Sequence, residues 1–120
     1  NECILIVDDE EEVCQMAADI LSEYGYKTYT VQSAIDALTY LQTNTIDLIL
    51  TDVVMPQMDG YLFTSKVNKL YPEIKIQLMS GFSDNQDDSL ISKQLLDQML
   101  LKPFEPIDLV RQIDSVLNDT

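Results

Sequence analysis

The sequence contains no histidine. That removes Ser-His-Asp and Cys-His catalysis, imidazole metal ligands, and any phosphoryl group carried on the chain's own imidazole. Only two cysteines are present, Cys3 and Cys14, with no C-x-x-C between them. They read as buried thiols of a reducing compartment, not as a redox pair. The three glycines, Gly25, Gly60 and Gly81, form neither G-x-G-x-x-G nor a P-loop, which argues against nucleotide binding. No apolar run approaches the roughly 20 residues of a membrane span, and no signal peptide opens the chain. A cytoplasmic location is therefore expected. Basic residues are scarce, 7 against 21 acids, for a formal net charge of −14. Such a chain repels phosphate backbones and anionic lipid at long range. Direct binding to nucleic acid or membrane is not expected; a bound cation or a basic partner suits the charge better.

What is present is a core. Of 120 residues, 46% are hydrophobic, enough for one globular domain. The chain starts at Asn1, not Met, and is expected to be a domain cut from something longer.

Short apolar runs alternate with helix-like segments. The strand-like runs are "CILIV" (Cys3–Val7), "YKTYTV" (Tyr26–Val31), "IDLILT" (Ile46–Thr51), "IKIQLMS" (Ile74–Ser80) and "MLL" (Met99–Leu101). Glu10 to Tyr24 places Val13, Met16, Ala17, Ile20 and Leu21 at helical spacing, and Gly25 is suited to end that helix. Ser33 reads as an N-cap ahead of Ala34, Ala37, Leu38 and Leu41. Asp59-Gly60 opens a third helix, with Asp59 as cap and Gly60 serving backbone shape; Pro72 stops it. Pro106 starts the last helix. Between Ser83 and Gln98 a fourth helical segment carries only a thin apolar side. Strands alternating with helices imply a parallel sheet covered on both faces.

In such sheets, sites form beyond the carboxyl ends of the strands. Strand one runs into Asp8-Asp9, strand three into Asp52, strand four into Ser80-Gly81 and strand five into Lys102-Pro103. Three acids, a hydroxyl and a lysine would converge at one edge. Each also has a plain reading: Asp8-Asp9 as helix caps, Asp52 as a loop acid, Ser80 as a turn residue, Lys102 as a solvated charge. Together they favour chemistry. Clustered carboxylates resist joint ionisation unless a cation joins them. Oxygen-only ligands select a hard cation such as Mg²⁺. A carboxylate nucleophile beside a metal, a lysine and a hydroxyl suits an acyl phosphate.

Four stretches, "LIVDDE" (Leu5–Glu10), "LILTDVVMPQMDG" (Leu48–Gly60), "LMSGF" (Leu78–Phe82) and "LLKPF" (Leu100–Phe104), occur in order along the chain. With them the sequence resembles the receiver domain of two-component response regulators over essentially its whole length. The resemblance implies a flavodoxin-like (βα)5 fold, doubly wound, with a parallel five-stranded sheet in the order 2-1-3-4-5. It implies Asp52 as phosphoacceptor, and Asp8, Asp9, Asp52 and the Val54 carbonyl as Mg²⁺ ligands. It gives Ser80 and Lys102 as the groups that meet the phosphoryl oxygens, and a cis peptide before Pro103. The implied donor is a sensor histidine kinase or a histidine phosphotransfer protein. The implied reader is an output domain or effector at the face of the fourth helical segment, strand five and the last helix, a face that also serves homodimers. Such a domain is a switch, catalysing only its own phosphorylation and slow dephosphorylation.

The sequence departs from the family at Met99, where an aromatic is usual. Val54 and Phe82, two residues past Asp52 and Ser80, are apolar and cannot align an attacking water, so a long phosphoryl lifetime is expected; a half-life of seconds would refute it. Two other functions compete. A pseudo-receiver kept for protein contacts would have lost Asp52 or Lys102, and both are present. An aspartate-nucleophile phosphatase would show Asp-x-Asp after strand one, which "VDDEE" does not supply.

Overall fold

A computed structural model describes residues 2–55, 58–81, 100–102 and 104–118. The sequence expectations at Phe82, for segment 83–98, at Met99 and for the peptide before Pro103 lie outside these residues. The elements run β1 (Cys3–Val7), α1 (Glu11–Glu23), β2 (Lys27–Val31), α2 (Ala34–Leu41) and β3 (Leu48–Asp52). They continue with α3 (Gly60–Leu70), β4 (Lys75–Gly81), β5 (Leu100–Lys102) and α4 (Pro106–Leu117). The strands form one sheet, all parallel, in the order β2-β1-β3-β4-β5. This is the expected doubly wound, flavodoxin-like order.

Central position explains the composition of β1 and β3. A strand covered on both faces reads as a continuous apolar run, and Ile4–Val7 and Leu48–Leu50 are 0% exposed. Successive side chains point to opposite faces. Ile4, Ile6, Leu48 and Leu50 pack with Cys14, Ala17 and Leu21 of α1 and Leu109 and Ile113 of α4. Leu5, Val7 and Ile49 pack with Ala34, Ala37 and Leu41 of α2 and Phe63 and Val67 of α3. Each Leu, Ile, Val or Phe among them, once buried, contributes roughly 1.5–3 kcal/mol. No described helix is long and apolar enough to cross a membrane.

Local signals set the helix ends. The Ser33 hydroxyl accepts from the Asp36 N–H at 3.0 Å, and Asp59 Oδ1 accepts from the Leu62 N–H at 2.8 Å. Gly25 has φ +94°, and the Tyr26 N–H reaches back to the Leu21 carbonyl, closing α1. The plain reading of Asp8-Asp9 as helix caps does not apply to α1: its N-cap is Glu10. The apolar stripe of α1 is also rotated from the one read by spacing. Cys14, Ala17, Ala18 and Leu21 are buried, whereas Met16 is 42% exposed. Small side chains let the helix lie close to β1, and that fixes which face turns inward.

Two polar ties join β4 to α4. The last turn of α4 holds no basic residue. Instead Lys75 Nζ donates to the carbonyls of Val116 and Leu117 at 3.0 and 3.4 Å. Farther along the strand, buried Gln77 accepts from Gln112 Nε2 at 2.9 Å and donates to the Leu78 carbonyl at 2.8 Å.

Candidate functional site

The register of the sheet assembles the site. β1 and β3 are neighbours, with Val7 opposite Thr51. Asp8 therefore emerges beside Asp52. Their side-chain oxygens and one of Asp9 lie within 4.8 Å of one another. Asp8 is 0% and Asp52 3% exposed, while Asp9 faces solvent. β4 pairs with β3 on one side and β5 on the other, with Met79 opposite Asp52 and Gly81 opposite Lys102. Ser80, fully buried, thus lies at the same edge, one step beyond the level of Asp52. Val54, two residues past Asp52, is 53% exposed.

Lys102 spans the acids. Its Nζ lies 3.0 Å from Asp8 Oδ2, 3.4 Å from Asp52 Oδ1 and 3.6 Å from Glu10 Oε1. The other Asp8 oxygen accepts from the Glu10 N–H at 2.9 Å. Asp52 Oδ1 also accepts from the Val53 N–H at 3.0 Å. Burial pulls the Lys102 ammonium toward losing its proton, but Asp8 and Asp52 outweigh it and its pKa is raised. For Asp8 the balance differs. Burial pushes its carboxyl above the usual value, against the pull of the Glu10 N–H and of Lys102. A lone cation this close would ordinarily lower it, so desolvation governs this carboxyl, with the Glu10 charge adding to it.

That electrostatic deficit is the test of a metal. Asp8, Asp9 and Asp52 bring three carboxyl groups together against the single ammonium of Lys102. The donors offered by the cluster are carboxylate oxygens, the chemistry of Mg²⁺ or a similar hard cation. The residues fit the ion.

Sequence reasoning placed Asp8, Asp9, Asp52, Ser80 and Lys102 at this edge, and the structure brings them there. It missed three supports. Glu10 reaches Lys102, as above. Cys14 lies under the pocket, its Sγ 3.4 Å from the Asp8 carbonyl and 3.6 Å from that of Val31. Burial, with the Asp8 charge, pushes this thiol up to about 11. At pH 8 only about a thousandth of it would be thiolate, the reactive form. Alkylation of the folded chain should therefore modify Cys3 alone, and of the unfolded chain both, as mass spectrometry will count.

The third support is Gly60. Its N–H donates to the Val53 carbonyl at 2.6 Å. A Cβ there would stand 2.3 Å from the Asp52 carbonyl oxygen and 2.8 Å from the Val53 Cα. Gly60 is required by this close approach, and the first turn of α3 rests directly on the backbone that carries Asp52.

Comparison with known proteins agrees with this geometry. A family model described as "Response regulator receiver domain" matches residues 4–114. The chain is 33% identical over 114 residues to a probable transcriptional regulator, ycf27, of Cyanidium caldarium, covering 95% of this chain and 45% of that one. It is 32% identical over 113 residues to the sensor histidine kinase RcsC of Salmonella typhimurium, covering 94% of this chain and 12% of the kinase. It thus spans half or less of these curated relatives. Among solved structures, the chemotaxis response regulator CheY4 of Vibrio cholerae superposes with TM-score 0.80 at 28% identity, covering 96% and 98% of the two chains. Response regulator TrrA of Thermotoga maritima, in complex with Mg²⁺ and BeF, superposes with TM-score 0.83 at 26% identity, covering 97% and 99%.

Proposed function

The chain belongs to the response regulator receiver domain family, a family of signalling switches, and on that footing we propose that it takes a phosphoryl group onto Asp52 and switches conformation. The observation that carries this is the buried Asp52 carboxylate, 3.4 Å from Lys102 and grouped with Asp8 and Asp9. The donor would be a phosphohistidine on a sensor histidine kinase or a histidine phosphotransfer protein.

An Asp52 oxygen attacks phosphorus in line, the P–N bond breaks, and its electron pair stays on the partner's imidazole. An acyl phosphate results. The Val53 N–H and Lys102 hold the Asp52 carboxylate in place beforehand. Asp8, Asp9, Asp52 and the Val54 carbonyl would hold Mg²⁺. When bound, the ion neutralises the charge gathered between these carboxylates and the phosphoryl oxygens. Lys102 then has a phosphoryl oxygen as partner in place of a carboxylate. The new group adds about −1.5 to −2 charges and strong acceptors, and the Ser80 hydroxyl moves to donate to it. An output domain or effector reads the resulting change at the side of the sheet formed by β5 and α4.

Intact mass after incubation with a small acyl-phosphate donor and Mg²⁺ tests the reading. One phosphoryl group should be gained, labile to hydroxylamine, and lost in Asp52→Asn and in metal-free controls. No gain, while a known receiver is modified alongside, would overturn the reading in favour of a protein-contact module. Following the same mass peak over time should show decay far slower than seconds, in keeping with the exposed apolar Val54 beside the acceptor.

A further inference from the structure

Two cavities lie at the end of the sheet opposite the acid pocket, and both include Tyr71. One, of about 360 Å³, is lined by Leu38, Gln42, Lys66, Lys69 and Leu70 with Tyr71. The other, of about 370 Å³, has Asp47 and Glu73 as its charged residues, beyond the other side of Tyr71. The charges on the two sides are opposite. Lys66 and Lys69 are two of the seven basic residues in the sequence, and no acid lines their cavity. No base lines the cavity of Asp47 and Glu73. All four are exposed. Leu70, on the lip, is 64% exposed, and Tyr71 is half-buried.

A groove of one sign calls for a partner of the other sign. A trough that is basic on one side of an aromatic and acidic on the other is complementary to itself. A two-fold pairing centred on Tyr71 would set the basic side of each copy against the acidic side of its mate. We propose that this trough is a homodimer contact, with Tyr71 near the two-fold axis and Lys66 and Lys69 facing Glu73 of the second copy. Asp47 takes a lesser part, because its Oδ2 already accepts from the Cys3 N–H at 2.8 Å. The contact is isologous, so it closes at two copies and propagates no filament. Tyr71 and Leu70 supply the apolar centre that such interfaces use. The acid pocket, at the other end of the strands, stays open in both copies. Each copy carries −14, so the pairing should need enough salt to screen the bulk repulsion; the screening length is about 8 Å at 0.15 M.

Sedimentation equilibrium at that salt, up to sub-millimolar protein, should find a reversible dimer. Lys66→Glu with Lys69→Glu, and separately Glu73→Lys, should each weaken it at least tenfold. Mixing the two variants should restore a one-to-one dimer, because both contacts then pair opposite charges again. Thermal melting of each variant near that of the parent shows that folding is kept, as expected at exposed positions. A parent that stays monomeric throughout would overturn the proposal. So would a dimer whose constant is indifferent to these reversals, since its contact would then lie elsewhere, for instance on β5 and α4.

Discussion

Gly60→Ala should lower the melting temperature by roughly 10 °C and blunt phosphoryl uptake, although the exchange adds one methyl group. The methyl would meet only backbone: the Asp52 carbonyl oxygen at 2.3 Å, the Val53 Cα at 2.8 Å and the Asp52 carbonyl carbon at 3.1 Å. No flexible side chain is there to yield. Either α3 lifts off the sheet or the end of β3 shifts, and both movements disturb packing of the buried Phe63 and Val67. Overpacking of this kind typically costs 1–3 kcal/mol, occasionally more, and about 3–5 °C accompanies each kcal/mol in a domain this size. Circular dichroism melting and the phosphorylation assay measure the two effects. A variant that melts within 2 °C of the parent would show that the helix does not rest on Asp52 as described.

Asp8→Asn should do the reverse to stability: raise the melting temperature of the metal-free domain by several degrees while removing its response to Mg²⁺. Asp8 is buried among Asp52, Asp9 and Glu10, and its pKa is raised chiefly by burial. An acid with a raised folded value holds its proton more firmly in the fold than in the unfolded chain. Its favourable contribution is complete below the unfolded value, about 3.9, and is given up as pH rises through the folded one. At pH 7 the charged form is a net burden, and an amide of the same shape relieves it. Lys102 keeps Asp52 and Glu10 as partners. In the parent, Mg²⁺ at tenfold over its Kd should stabilise by about 1.4 kcal/mol. Melting curves with and without Mg²⁺ separate the two effects. An Asp8→Asn domain that melts lower and still responds to Mg²⁺ would contradict the assignment of Asp8 as ligand.

The residues legible in the sequence are those that strand ends dictate. Once the apolar runs are taken as parallel strands, their carboxyl ends must coincide, and Asp8, Asp52, Ser80 and Lys102 follow without knowledge of any helix. What depends on how a helix settles was not legible. Spacing shows that α1 has an apolar stripe but not its phase, so Met16 was read inward and Cys14 was not tied to Asp8. Gly60 was read as a matter of backbone shape, because nothing local says that a strand end passes 2.3 Å from where its Cβ would be. Gln77 sits in an alternating run, yet it is 2% exposed because Gln112 of α4 meets it. Glu10 was read as the start of a helix; its contact with Lys102 spans most of the chain and leaves no local trace.

That span governs when the site can exist. Asp8 and Lys102 are 94 positions apart, and closing so long a loop has to be offset by the rest of the fold. On a ribosome, which makes protein from the N-terminus at about 5–20 residues per second, Asp8 emerges many seconds before the lysine that balances it. Until β5 joins the sheet, the acids gather with only a free cation to oppose their repulsion. The pocket is therefore a report on the completed domain: a chain truncated before Lys102 loses, together, the cation that Asp8 and Asp52 share and the Leu109 and Ile113 that cover one face of the sheet.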